Sequence, residues 1–318
     1  MAPITFPISL LTLTITTNLF ISGAIAAATF TMVNNCNHPV WPGILSNAGV
    51  APLPTTGFVL REGESKALSA PSSWGGRFWG RTICGEDSDG KFSCVTGDCG
   101  SGTVECAGAN AAPPATLAEF TLDGDGGLDF FDVSLVDGYN LPMLVEPQGG
   151  TGINCTTTGC EVDINGECPS ELTVTSTATS GVKVAACKSA CGAFGEDQYC
   201  CSGAYGSPDT CKPSTYSELF KNACPSAYSY AYDDKTSTFT CASGATDYLL
   251  TFCPSPNTSK RSADGQSPGA STSPVFNSAM VYQGALDIAS GASSLSISRS
   301  QAIAYVVATM AAMTWWWF

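Results

Sequence analysis

Sixteen cysteines in a chain of 318 residues restrict the possible fold more than any other feature of this sequence. An even number at this density is typical of a disulfide framework formed in an oxidising compartment. Zinc or redox use is the alternative, but no two cysteines are spaced as Cys-x-x-Cys and His38 is the only histidine. We therefore predict no metal site, no cofactor and no His-dependent nucleophile. Sequence logic leaves the pairing open, because sixteen cysteines can pair in about two million ways.

The segment from Gly90 to Cys106 sets Cys94, Cys99 and Cys106 among glycines and a Thr-Gly-Asp turn. Glycine permits the tight backbone turns that bring sulfur atoms together, so the segment indicates disulfide-stapled loops. Along its whole length it also resembles the signature of plant thaumatin-like proteins. Five further segments carry the same resemblance: Pro113–Glu119, Leu128–Ser134, Asp137–Met143, Tyr199–Cys201 and Ala227–Asp234.

The resemblance to thaumatin-like proteins covers residues 29–254 and implies a mainly β fold with three regions. The first is a β-sandwich, the second is a disulfide-rich and partly helical region, and the third is a small looped region. Their implied ranges are about 29–81, 113–161 and 225–254 for the sandwich, 162–224 for the helical region and 82–112 for the looped region.

The resemblance also implies how the cysteines pair. One implied bond, Cys36–Cys253, closes almost the entire domain. In the chain-entropy model a loop of that length contributes about 5 kcal/mol to stability. The eight implied pairs are Cys36–Cys253, Cys84–Cys94, Cys99–Cys106, Cys155–Cys241, Cys160–Cys224, Cys168–Cys187, Cys191–Cys200 and Cys201–Cys211.

The residue pattern itself also favours a β-sandwich or barrel, because short runs rich in Val, Thr, Phe and Leu alternate with Gly, Pro and Asn turns. Residues 162–224 differ from this pattern, and there we predict short helices at 181–191 and 216–224. The predicted strands are 29–34, 77–82, 117–122, 128–136, 171–176, 237–241 and 248–253.

Two of the predicted strands carry carboxylates on the side opposite to their apolar face. Phe120 and Phe131 mark the apolar faces, and alternation places Glu119 and Asp132 on the other side. Residues 123–127, Asp-Gly-Asp-Gly-Gly, predict a turn between the strands. Matching the apolar faces sets Glu119 opposite Asp132, about 5 Å apart at Cβ. Like charges at that distance repel, so one carboxyl should titrate upward.

The chain is acidic, with 27 Asp and Glu against 13 Lys and Arg and a net charge of −14. This balance argues against nucleic acid or an anionic membrane surface as a partner. Solubility explains most of the acidity, but it does not explain residues 119–137, which contain six acids and no Lys or Arg.

Thaumatin-like proteins have an acidic cleft built from one basic residue and four acids. In the basic position Arg77 is the better match and Arg81 is the alternative. In the last acidic position Asp233 is the better match and Asp234 is the alternative. Phe130, on the same face as Asp132, offers an apolar surface for a sugar ring. For each of these residues, a purely structural role is the alternative to ligand binding. By motif, the resemblance places in the cleft Arg77, Glu119, Asp132, Asp137 and Asp233.

Both ends of the chain differ in composition from a globular domain. Residues 1–28 are typical of a secretory signal, and a retained membrane helix is the alternative. Residues 255–291 form a Ser/Pro/Gly-rich linker. Residues 292–318 end in an apolar tail and predict a signal for a glycosylphosphatidylinositol (GPI) anchor, attached at Ser290, Gly291 or Ala292. A retained tail anchor, or secreted or vacuolar processing, are the alternatives.

The termini and two glycan sequences predict the location of the protein. Asn257 and Asn154 each begin an N-glycosylation sequence, and Asn257 is the better candidate because Asn154 precedes a cysteine expected in a disulfide. We expect a glycoprotein of the secretory pathway, held at the extracellular face of the plasma membrane and in the cell wall.

Three functions remain. The first is a defence module, expected to be monomeric, in which the acidic cleft binds fungal-type β-1,3-glucan or another cell-wall polysaccharide. The second is a weak endo-β-1,3-glucanase that uses Glu119 and Asp132 as its acid/base pair. The third is a protein-interaction module at the cell surface or at plasmodesmata, in which the acidic patch meets a basic protein partner.

Overall fold

The computed structural model describes residues 26–178 and 181–254. Within these residues the chain forms thirteen strands and four short α-helices. The helices are α1 Ala190–Phe194, α2 Asp197–Cys200, α3 Thr215–Ala223 and α4 Asp234–Ser237. The strands are β1 Ala26–Asn34, β2 Trp41–Ser46, β3 Ser65–Pro71, β4 Gly75–Glu86, β5 Phe92–Thr96, β6 Leu117–Thr121, β7 Leu128–Ser134, β8 Met143–Gln148, β9 Thr158–Cys160, β10 Thr173–Ala178, β11 Gly181–Cys187, β12 Phe239–Ala242 and β13 Asp247–Phe252.

Two larger sheets carry most of the strands. One has the order β3-β1-β13-β8-β9, and the other has the order β12-β7-β6-β4-β2. Strand β5 pairs with the far end of β4, in the looped region, and β10 pairs with β11 as a separate two-stranded sheet. The first and last strands, β1 and β13, pair in parallel. The predicted mainly β fold with a partly helical, disulfide-rich region is confirmed.

Aromatic rings fill the space between the two larger sheets. Phe30 of β1 packs against Phe78 of β4 and Phe120 of β6, with ring centroids 4.8 and 4.7 Å apart. Phe131 of β7 and Tyr248 of β13 extend the same buried cluster. Full burial of such a ring contributes about 2 kcal/mol. Because side chains alternate along a strand, this packing turns the intervening residues of β4, β6 and β7 away from the core.

The helical region differs in one respect from the prediction. The helix expected at 216–224 is present as α3, but the prediction of a helix at 181–191 is wrong. Residues 181–187 form strand β11 instead, and only the short α1 follows. The β-branched Val184 favours a strand, and pairing with β10 satisfies the backbone of both.

The structure contains eight disulfides, and they are the eight pairs that the resemblance implies. The bond between Cys36 and Cys253 joins residues 217 positions apart, at the ends of the paired strands β1 and β13. Five bonds lie wholly within the looped or helical regions.

Several predictions concern residues that the structure does not describe. Most of the predicted signal peptide, the linker, the anchor signal and Asn257 lie outside the described residues. Asn154 is described; it is exposed and its side-chain amide donates to the carbonyl of Thr238 at 3.0 Å. Over residues 26–178 and 181–254, we find no helix with the length and apolar character needed to cross a membrane.

Candidate functional site

Three charged side chains lie side by side across the centre of one sheet, on the face turned away from the aromatic core. Arg77 of β4 pairs with Glu119 of β6, and Glu119 pairs with Asp132 of β7. The predicted register between Glu119 and Asp132 is therefore confirmed. We call these three residues the charged row.

Arg77 and Glu119 form an ion pair at one end of the charged row. The distance from Arg77 Nε to Glu119 Oε1 is 3.3 Å, and the side chains are only 4% and 13% exposed. Among the described residues, Arg77 Nη1 is buried without a hydrogen-bond partner. A buried cation with an unpaired donor is energetically costly unless negative charge lies close to it. Arg77 therefore favours the ionised form of a neighbouring carboxyl.

Asp132 is the most deeply buried acid of the charged row, with 2% of its surface exposed. Its Oδ1 has no hydrogen-bond partner within the part of the chain that the structure describes. Burial raises the pKa of Asp132 well above its usual range, and the charges of Glu119 and Asp234 raise it further while Arg77 opposes them. Asp132 therefore holds a proton at pH values where an ordinary aspartate is ionised.

Glu119 lies between the cation and the buried acid. Burial raises the pKa of Glu119, the charge of Arg77 opposes that rise, and the charge of Asp137 adds to it. Glu119 forms an ion pair with Arg77, and the pKa of Asp132 is raised more strongly than that of Glu119. We therefore assign the proton to Asp132 and the negative charge to Glu119 at mildly acidic pH.

Asp137 reaches the neighbourhood of Glu119 from the turn that follows β7. Gly138 adopts a φ of +91°, a conformation that favours glycine, and a Cβ there would meet the Cys187 carbonyl oxygen at 2.6 Å. The turn thus packs against the end of β11. Asp137 lies in this turn, and its charge acts on Glu119.

The two acids at the end of the Tyr-rich segment have different surroundings. Asp233 accepts from the backbone and hydroxyl of Ser229 at 3.1 Å and pairs with Lys221 Nζ at 2.8 Å. Asp234 accepts from the Tyr228 hydroxyl at 2.8 Å, and its charge acts on Asp132. The charge of Asp234, the alternative candidate, therefore acts on Asp132. Asp233 instead helps to hold the loop.

Phe130 and Arg81 complete the set of predicted residues. Phe130 is half-buried, shares the face of Asp132 and lies beside Gly124 of the β6–β7 turn. Arg81 is fully buried elsewhere, where it donates to the carbonyls of Trp41, Pro42 and Val104. Arg81 thus ties the looped region to the sandwich, and Arg77 is the arginine next to the acids.

Two residues near the site were missed by the sequence analysis. Tyr228 is buried, donates to Asp234 and contacts Thr238, and burial and the charge of Asp132 both raise its pKa. Lys221 of α3 binds the Ala227 carbonyl and the Ser237 hydroxyl besides Asp233. The density of tyrosines in 228–232 was a usable signal for Tyr228, whereas a single lysine on a helix gave none.

A sequence model of the thaumatin family matches residues 34–254, which include the whole charged row. The chain belongs to the thaumatin family. "Thaumatin-like protein 1" of Arabidopsis thaliana is 59% identical over 235 residues, covering 72% of this chain and 86% of that protein.

Two other relatives of this thaumatin domain have names that state an activity. "Glucan endo-1,3-beta-glucosidase" of Prunus avium is 54% identical over 232 residues, covering 73% of this chain and 93% of that protein. "PR5-like receptor kinase" of Arabidopsis thaliana is 49% identical over 250 residues, covering 78% of this chain and 37% of that protein.

Proposed function

We propose that this thaumatin domain is a cell-surface defence module that binds β-1,3-glucan along the charged row. The observation that carries the proposal is the opposed pair Glu119 and Asp132, buried beside Arg77 on the face of the sheet that the core does not use. The Prunus avium relative, named for an activity on 1,3-β-glucan, supports this choice of ligand.

The chemistry of the charged row suits a neutral polysaccharide. Carboxylates accept hydrogen bonds from sugar hydroxyls, and a hydrogen bond to a charged acceptor is worth about 1.5–3 kcal/mol. The half-buried ring of Phe130 offers an apolar surface next to the acids. An uncharged glucan also avoids the repulsion that the acidic domain exerts on nucleic acid and anionic lipid.

Hydrolysis is the second candidate function, and the raised pKa of Asp132 favours it. A protonated Asp132 is the general acid for the glycosidic oxygen, and an ionised Glu119 is the carboxylate partner. Carboxyl groups about 5–5.5 Å apart give retention and a wider separation gives inversion, so the anomeric configuration of the product would report the spacing of the two carboxyls. Asp132 is only 2% exposed, however, so it reaches a glycosidic oxygen only if the sheet face opens. We therefore rank binding before hydrolysis.

We further propose that a lipid anchor holds the domain at the extracellular face of the plasma membrane. The support is the sequence order of linker, small residues at Ser290, Gly291 and Ala292, and apolar tail. Treating intact cells that express the full chain with phosphatidylinositol-specific phospholipase C should release the protein. Protein that stays on the cells after treatment supports a retained tail, and protein found in the medium or vacuole without treatment supports processing instead.

Co-sedimentation with insoluble β-1,3-glucan tests the binding proposal, using the chain purified with its disulfides formed. We expect the parent to pellet with the glucan and Glu119→Gln to bind about tenfold more weakly. Glu62→Gln, which removes an exposed carboxylate from a loop outside the charged row, is the matched control and should bind like the parent. Equal binding to cellulose, or full binding by Glu119→Gln, contradicts the proposal.

The same tubes distinguish binding from hydrolysis. Reducing ends released by the parent and lost in Asp132→Asn would establish the glucanase. Sedimentation without reducing-end release leaves the domain as a binding module. Neither sedimentation nor release would overturn both glucan functions and favour a protein partner.

A further inference from the structure

A second concave surface lies in the helical region, apart from the charged row. It is a groove of about 460 Å³ between the segment 162–167 and helix α3, and none of its lining residues belongs to β4, β6 or β7. We call it the α3 groove. It is lined by Val162, Ile164, Glu167, Thr215, Glu218, Leu219, Asn222 and Ala223.

Helix α3 presents one regular face to the α3 groove. The five α3 residues in the lining are separated along the sequence alternately by three positions and by one, which places them in a single stripe along one side of the helix. Ser217 and Phe220 lie between them in sequence and are buried on the other side, against the core. The deepest packing of α3 is therefore on the side away from the groove, and the groove face is only partly covered by the fold.

The floor of the α3 groove is aliphatic. Ile164 is 2% exposed, and Leu219 and Ala223 are partly buried against the core. Val162 lies on the side of the groove and leaves 48% of its surface exposed, although it is a large apolar residue. Covering such a surface on binding is favourable at about 25 cal/mol per Å². An aliphatic floor without an aromatic ring suits an aliphatic side chain better than a sugar ring.

The charged residues of the α3 groove are all acidic. Glu167 and Glu218 are exposed on opposite walls, and the lining within the described residues contains no Lys or Arg. Lys221, the basic residue of the last turn of α3, is engaged with Asp233, so it does not neutralise these glutamates. Glutamates on both sides of an apolar floor are complementary to an apolar side chain flanked by cations.

We propose that the α3 groove is a docking site for an extended basic peptide segment of a protein partner. An aliphatic side chain of the segment rests on Ile164, Leu219 and Val162, and flanking Lys or Arg side chains pair with Glu167 and Glu218. The site is independent of the charged row, so the same domain can hold glucan and a basic protein at once. An anionic membrane surface is not a suitable occupant, because the glutamates repel it.

A labelled peptide tests the docking site. The probe is a fluorescent hexapeptide, Gly-Lys-Leu-Lys-Leu-Gly, titrated into the purified chain with its disulfides formed and followed by fluorescence anisotropy. We expect saturable binding that weakens as salt rises, and a weakening of about threefold to fivefold in Glu167→Gln and in Glu218→Gln. The double variant should lose about tenfold. Glu62→Gln is the control for an exposed carboxylate elsewhere, and it should bind like the parent.

Two comparisons show whether the binding is at the α3 groove. The peptide Gly-Lys-Ser-Lys-Ser-Gly keeps the charge and lacks the apolar side chains, and it should bind at least tenfold more weakly. Glu119→Gln should leave peptide binding unchanged, and Glu167→Gln should leave glucan sedimentation unchanged. The proposal is overturned if the leucine peptide does not bind saturably, if both peptides bind equally, or if the glutamine variants at 167 and 218 bind like the parent. Loss of peptide binding in Glu119→Gln would move the peptide to the charged row and also overturn it.

Discussion

Glu119 lies directly opposite Asp132 on paired antiparallel strands, on the side of the sheet that the aromatic core leaves free. Arg77 lies on the other side of Glu119, in register on β4. One cation thus faces two buried carboxyls, and the charges balance when one of the carboxyls holds a proton. This three-residue arrangement is the physical basis of the function that we propose.

Replacing Glu119 with Gln should lower the pKa of Asp132. The charge of Glu119 contributes to the upward shift of the Asp132 pKa, and Arg77 opposes it. Glutamine removes the repulsion and frees Arg77 to face Asp132 alone. Carbon-13 NMR titration of the aspartate carboxyls in the parent and in Glu119→Gln measures the effect. An Asp132 pKa that stays the same or rises in the variant would show that the two carboxyls do not share a field.

Replacing Asp132 with Asn should flatten the pH dependence of stability. Unfolding lets Asp132 return to an ordinary pKa near 3.9, whereas in the folded protein burial raises its pKa. Above about pH 4 the folded state therefore holds a proton that the unfolded state has released. The contribution of Asp132 to stability then falls as pH rises through this window, up to the raised pKa.

Melting temperatures of the parent and Asp132→Asn between pH 3.5 and 7 check this sign. We expect the Tm of Asp132→Asn minus the Tm of the parent to increase as pH rises. Asp209→Asn, at an exposed position in the helical region, is the control and should follow the parent. A Tm difference between Asp132→Asn and the parent that does not change with pH would mean that folding leaves the pKa of Asp132 unshifted.

Replacing Arg77 with Met should destabilise the domain at neutral pH by about 3 kcal/mol, because removing one partner leaves buried charge unpaired. The loss should shrink at low pH, where both carboxyls are protonated. Chemical denaturation at two pH values measures both effects. Arg61→Met removes an arginine that is 72% exposed, and it should change stability little at either pH. Equal losses at both pH values would mean that Arg77 contributes through packing alone.

The register of the charged row could be predicted from the sequence, whereas much of its surroundings could not. Period-two alternation placed Glu119 and Asp132 on the same face, and matching the apolar residues of β6 and β7 across the Gly-rich turn at 123–127 predicted that they lie opposite each other. The choice between Asp233 and Asp234 depended on Lys221, which comes from a different element of the fold. Contacts of that kind leave no local pattern.

The error at residues 181–191 has a related cause. The segment contains Ala, Lys and Cys residues that are compatible with a helix, and only two residues of the sequence separate it from its strand partner β10. Short apolar runs are ambiguous in this way, and pairing with a neighbour decides between helix and strand. The choice between Arg77 and Arg81 was likewise decided by tertiary contacts, since Arg81 binds carbonyls of the looped region and of β2.

Replacing Lys221 with Met should loosen the loop that carries Tyr228 and Asp234. The lysine ammonium bonds the Ala227 carbonyl at 3.0 Å and the Ser237 hydroxyl at 2.8 Å, and it pairs with Asp233. We expect a loss of about 1–2 kcal/mol and faster amide hydrogen exchange over residues 227–237. Lys212→Met, which removes a single exposed bond to the Pro208 carbonyl, is the control. Unchanged exchange in Lys221→Met would show that the loop is held by other contacts.

The most direct test of the central claim is a carbon-13 NMR titration of the side-chain carboxyls with a β-1,3-linked gluco-oligosaccharide. Glucan bound along the charged row predicts saturable shifts of the Glu119 and Asp132 signals, with the signal of the exposed Glu62 unchanged. Oligosaccharide binding that shifts backbone signals elsewhere while the Glu119 and Asp132 carboxyl signals stay fixed would contradict the account.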